Sequence, residues 1–379
     1  VSEARTAGPL ARLRALLALL AAAFVLTFST FASAQDDARR IVAVGDLHGD
    51  FEAWREIAQA AGIVDGHGKW VGGDTVLVQL GDVTDRGPDS LKIIHDLQKL
   101  QRDAPDDGGQ VIVLLGNHEA MNAIGDLRYV HPGEFEALKD RNSKRRRDLV
   151  WDANEKSIVA FYAAQDPPLT PEEAKARWYA NTPLGSINHR KAWSADGELG
   201  EWARSLPAVV QLGDTLFVHG GLSVERALRP LGEINASVSA AIDGEMVENR
   251  HPTEDTLGPL WYRGNIFREP RNQVASQIGE EVPTPPTRPS VAEELDQVLA
   301  YHGASRLVVG HTPSIEGIVA SSGGRLIRAD TGIAAHYGGP ASFLVLLGGK
   351  AFAHQRGVDG EWTSKPLPLG PVASEGANE

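Results

Sequence analysis

The sequence predicts an α/β fold built from βαβ units, on three observations. Short apolar, partly β-branched runs recur, and each stops at a glycine: residues 41–44 before GDLHGD, 75–80 before GDVTDRG and 112–115 before GNHE. Amphipathic segments separate these runs, so strands return at roughly 35-residue intervals. Two later runs, in LFVHGG (216–221) and LVVGHT (307–312), end on a lone histidine. Open α/β sheets gather ligands at the carboxyl ends of their strands. Five such ends therefore bring Asp46, His48, Asp82, Asn117, His219 and His311 to one edge.

Taken in order, residues 1–34 read as a signal peptide. Arg5, Arg12 and Arg14 make a positive start, 15–28 is apolar, and Ala32-Ser33-Ala34 supplies small residues for cleavage. The apolar run is short against the ~20 residues a membrane span needs. The expectation is an exported chain, periplasmic or secreted from a bacterium, with no stable membrane insertion after cleavage. Residues 35–369 form one catalytic domain and 370–379 a frayed tail.

Residues 51–61 carry Phe51, Trp54, Ile57, Ala58 and Ala61 at helical spacing, and 90–102 do the same with Leu91, Ile94, Leu97 and Leu100. From 121 to 206 the strand grammar stops, and charged, tryptophan-bearing helical segments replace it. So long an excursion from a strand-end loop predicts an inserted helical cap beside the site. Its KRRR run (144–147) reads as a solvated helix face, with a collar for phosphorylated substrate as the alternative. Strands resume near Val209 and Leu216. TPPTRP (284–289) is an extended loop, 291–301 a helix, and 326–329, 343–347 and 351–354 an antiparallel finish.

The formal charge is −13, and loss of the leader, with one glutamate and three arginines, makes it two units more negative. That balance argues against nonspecific nucleic-acid or anionic-membrane binding. Without cysteines the chain has no disulfides, which agrees with an oxidising destination without requiring one.

Asp46 and His48 lie two apart on a tight turn and can grip one ion, and the Asp82 carboxylate has lone pairs enough to bridge two. Asn117, His219 and His311 complete a second ion. Mixed oxygen and nitrogen ligands suit two divalent ions of the manganese, iron or zinc type. Such a pair binds a phosphate and makes a bridging hydroxide for in-line attack. His118 follows Asn117 and is placed to protonate the leaving oxygen, Asp85 to hold its ring, and Arg86 to fork the phosphate oxygens. Glu119 reads as a structural hydrogen-bonding group. His67, His95, His189, His251, His302 and His354 lack ligand grammar, while His131 and His336 sit nearer the loops.

GDLHG, GDVTDRG, GNHE, HGG and GHT together resemble the signature set of the calcineurin-like metallophosphoesterases, in the form used by the PPP phosphoprotein phosphatases. GNHEAMNAIGDLRYV (116–130) and ADTGIAAHYGG (329–339) resemble the Shewanella-like branch. The resemblance spans roughly 41–347 and implies a β-sandwich of two sheets flanked by helices. It implies the same roles for the same residues, manganese as the leading metal, and phosphorylated protein or peptide as substrate, with phosphotyrosine a candidate. It also implies a second arginine clamp, for which Arg263 in GPLWYRG (258–264) is the candidate. A diadenosine-polyphosphate or small-ester hydrolase shares these motifs, and a catalytically silent metal-bound module is the rival from another class. The latter is disfavoured because every ligand, the acid and Arg86 are present. The sequence leaves the oligomeric state open.

Overall fold

The computed structural model describes residues 39–243, 254–267 and 288–368. The expected signal peptide, the 370–379 tail, His251 and most of the TPPTRP loop lie outside the described residues. Strands β1 (Ile41–Val44), β2 (Val76–Gln79) and β3 (Gln110–Val113) pair in parallel, with Ile41 beside Val76 and Val76 beside Gln110. A second sheet holds β4 (Val209–Leu212), β5 (Thr215–Val218), β6 (Arg306–Val309), β7 (Val319–Ser321) and β8 (Leu326–Arg328) in the order β4-β5-β6-β8-β7. The chain then returns to the first sheet through β9 (Ser342–Leu347), β10 (Lys350–Arg356) and β11 (Trp362–Pro366), giving β11-β10-β9-β1-β2-β3.

Side-chain alternation decides the layers, because successive strand residues point to opposite faces. Ile41, Ala43, Val76 and Val78 share one apolar core with Phe217, Val308 and Ile327, so the two sheets pack face to face. The intervening residues Val42, Val44 and Leu77 pack instead on Trp54 and Ile57 of α1 (Phe51–Ala60) and Ile93 and Leu97 of α2 (Ser90–Asp103). Each inner strand is therefore buried on both faces, which is why it reads as continuous apolar sequence. Asp50 caps α1 by accepting the Ala53 N–H at 3.0 Å.

Between β3 and β4 the chain makes α3 (Asn117–Ile124), α4 (Pro132–Ala137), α5 (Ser143–Ala163), α6 (Pro171–Asn181), α7 (Ser186–Ala192) and α8 (Glu198–Ser205), and no strand. The basic run lies on α5, where Lys144 pairs with Asp148, Arg146 with Asp140, and Arg147 covers the Tyr179 ring. Outside the second sheet lie α9 (Val224–Ala227), α10 (Leu231–Ile242) and α11 (Val291–His302); Ile234, Leu295 and Val298 pack there on Leu216, Val218 and Leu307.

The finish differs in part from the antiparallel expectation. β9, β10 and β11 are antiparallel, but β8 runs parallel to β6 and antiparallel only to β7. Among the described residues no helix is long and apolar enough to cross a membrane.

Candidate metal centre

Residues that follow β1, β2, β3, β5, β6 and β8 converge at one end of the sandwich, because those strands run in a common sense within each sheet. The loops touch, which explains the glycines between strand and ligand. A Cβ on Gly116 would lie 2.2 Å from the Asp82 nitrogen and carboxylate, and Gly81 combines a φ of +93° with backbone contact to Gly116. Five non-glycine residues of the site adopt the left-handed region: His48, Asp82, Asp85, Arg86 and His311. Such conformations persist only where surrounding bonds hold them, and they cluster at functional sites.

The holding bonds are present. Glu119 is fully buried and accepts N–H bonds from Asp82, Val83, Thr84 and Gly116, so its role is structural. His48 Nδ1 donates to the Thr84 carbonyl and His219 Nδ1 to the Leu80 carbonyl, each at 2.9 Å. Carbonyls only accept, so both rings carry a proton on Nδ1 and turn Nε2 inward. His219 Nε2 then faces the Asn117 Oδ1 at 2.9 Å and the Asp82 Oδ2 at 3.3 Å. Burial lowers the His219 pKa, but Asp82 outweighs it and the net shift is upward, so the pocket favours positive charge between these groups. His311 Nε2 is buried with no hydrogen-bond partner.

Ligand atoms of Asp82, His219 and His311 lie within 4.8 Å of one another, as do those of His48, Asp82 and His118, so Asp82 is common to both groups. Asp46 borders them: it accepts the His311 N–H at 3.1 Å, and its carboxyl is raised well above the usual range by burial and by the Asp330 and Asp82 carboxylates. Burial also pushes Asp330 up to about 6. Burial and His219 drive His311 well below the usual histidine range, and burial takes His48 to about 4. Three buried aspartates, inward-facing imidazoles and one orphaned nitrogen fit a pair of divalent cations, which relieve the repulsion that burial magnifies.

His118 donates from Nδ1 to Asp85 Oδ2 at 2.6 Å, and Asn122 donates to the other Asp85 oxygen at 2.9 Å. Burial lowers the His118 pKa, but Asp82 and the Asp85 hydrogen bond outweigh it and the net shift is upward. Distance alone groups His118 with His48 and Asp82. The Arg86 guanidinium lies 4.0 Å over the Tyr129 ring with its Nε buried and unpartnered. Arg263 reaches the same region, donating to Thr312 Oγ1 and the His311 carbonyl at 3.3 Å. An open cleft of about 480 Å³ starts at His48 and Arg86 and runs past Phe51, Pro88 and His131 to His336.

All ten residues expected at the site are thus brought together. Sequence reasoning missed Asp330, Asn122, Tyr129, Glu134 and Tyr337, whose ring centroid lies 5.4 Å from that of His48. Asp330 follows a strand as the other acids do, and that signal was there to find. The others come from loops and an insertion without strand grammar.

A two-sheet sandwich with paired cation groupings at its strand ends defines a metal-dependent phosphoesterase. The chain belongs to the calcineurin-like phosphoesterases, whose family model matches residues 39–314. It is 33% identical over 307 residues to an uncharacterised protein of Schizosaccharomyces pombe, covering 80% of this chain and 76% of that one. It is 32% identical to Shewanella-like protein phosphatase 2 of Arabidopsis thaliana, covering 78% and 71%. The solved cold-active protein-tyrosine phosphatase of a psychrophilic Shewanella species superposes with a TM-score of 0.58 at 25% identity, over 86% of this chain and 80% of that one.

Proposed function

We propose that the chain is a phosphoprotein phosphatase that hydrolyses phosphate monoesters on protein or peptide, with His118 as general acid. The observation that carries this reading is the shared Asp82 between two cation groupings, with the 2.6 Å His118–Asp85 pair beside it. Asp46, His48 and Asp82 would hold one ion, and Asp82, Asn117, His219 and His311 the other. Bound divalent ions supply the Lewis acidity that neutralises phosphate charge and activates water. Manganese is the leading candidate, with iron or zinc also matching the donors.

Arg86, over the Tyr129 ring, would present a two-pronged donor to the phosphate oxygens, and Arg263, hydrogen-bonded to the His311 carbonyl, would add a second. His118 gives its Nε2 proton to the departing oxygen while Asp85 keeps the ring oriented through Nδ1. The names of the Arabidopsis and Shewanella relatives support a phosphoprotein substrate, and the latter favours phosphotyrosine. The signal-peptide character of residues 1–34 supports export to a bacterial periplasm, which fractionation of expressing cells checks.

Phosphate release with added manganese tests the substrate. Phosphotyrosine, phosphoserine and phosphothreonine peptides are compared with a diadenosine polyphosphate. Turnover of phosphopeptides is expected; turnover of the dinucleotide alone would move the chain to another hydrolase class, and silence with both ions bound would favour a binding module.

A further inference from the structure

The Asp85–Arg86 turn carries both the partner of His118 and the phosphate clamp, yet both residues have left-handed φ, +70° and +67°. Neither is glycine, so the conformation must be imposed from outside. Besides the His118 contact, three bonds from the segment that follows GNHE hold it. Asn122 holds the Asp85 side chain, the Tyr129 carbonyl accepts the Arg86 N–H at 3.0 Å, and Glu134 Oε1 accepts the Asp85 N–H at 3.1 Å.

Glu134 is the least expected of the three. It sits on α4, is 5% exposed, and uses the same oxygen to accept the His131 N–H at 3.3 Å. One buried carboxyl oxygen therefore ties the start of α4 to the turn that aims the acid. We infer that Glu134 is a positioning residue for general acid catalysis, acting through Asp85 on the orientation of His118. The inference rests on the reading of His118 as the acid. Burial and the Asp85 carboxylate push the Glu134 carboxyl up to about 8, and an amide of the same shape is its closest replacement.

A residue that merely supports the fold affects all substrates alike. A residue that aims the proton donor matters in proportion to the leaving group's need for that proton. The test compares phenyl phosphate, with a basic leaving group, against p-nitrophenyl phosphate, whose leaving group departs readily. It uses the manganese-loaded full chain and its His118→Asn, Glu134→Leu, Glu134→Asp and Glu134→Gln variants.

Glu134→Leu, and Glu134→Asp if the former does not fold, should lose about tenfold or more in kcat on phenyl phosphate but only about two- to threefold on p-nitrophenyl phosphate. Glu134→Gln should stay within about threefold of the parent on both, because its carbonyl still accepts. Equal losses on the two esters, no loss, or a Gln variant as impaired as Leu would overturn the role of Glu134. In those cases a leaving-group-dependent His118→Asn variant would leave the acid assignment standing. A His118→Asn variant indifferent to the leaving group would overturn both.

Discussion

Asp82 does two things with one carboxylate: Oδ1 accepts the His118 N–H at 2.9 Å, while Oδ2 faces His219. The place of Asp82 at the site was legible in the sequence, because a strand, a glycine and an acid in succession leave the acid at a strand end, but its bond to the His118 N–H was not. The same grammar exposed Asp46, His48, Asn117, His219 and His311. It could not expose Glu134, which reaches the turn from α4 across 49 residues. Arg86 was legible as a cation beside the site, but its stack on Tyr129 was not. Arg86→Lys keeps the charge and loses both the guanidinium contact with the Tyr129 ring and the paired donors. We expect kcat/KM for an aryl phosphate to fall about tenfold, roughly 1.4 kcal/mol, mainly through KM. Unchanged steady-state kinetics would place Arg86 outside the phosphate site.

At the scale of elements, the inner strands and the helices between them were readable because burial on both faces leaves unbroken apolar runs. β7 and β11 were not, since exposed edge strands such as WTSKP carry no such run. Nor could the sequence foresee β8 joining β6 in parallel, because strand partners are set by the path of the chain. The insertion was readable as helical, but not its interior. His189 on α7 is fully buried against Phe135 and Trp193, and neither ring nitrogen has a partner. Burial and nearby Arg190 lower its pKa to about 3 from 6.5. A depressed pKa favours the fold above the unfolded value, and this advantage is lost as pH falls from 6.5 towards 3. His189→Leu should therefore flatten the acid limb of stability across that window, seen in urea midpoints at pH 7, 5 and 4. A slope equal to the parent's would show that His189 does not titrate with unfolding.

Across the whole molecule, the sandwich concentrates like charge at one end. Asp46, Asp82, Asp330 and Glu119 are all buried there, a cost the fold carries unless cations share the space. The sequence located this end through its repeated strand grammar, whereas the pairing of the two sheets became visible only in the shared core of Ile41, Phe217 and Val308. Chelation should lower the melting temperature by roughly 5–10 °C and manganese should restore it, since each of two ions at 100 times its Kd contributes about 2.7 kcal/mol. A melting temperature indifferent to chelator would mean that the ions do not support the fold. The most direct measurement joins metal content and turnover in one preparation of His118→Asn. The account predicts two ions per chain and a kcat on phosphopeptide reduced by about 10²- to 10⁴-fold. Loss of one ion with the activity would contradict it, and would make His118 a ligand instead of the acid.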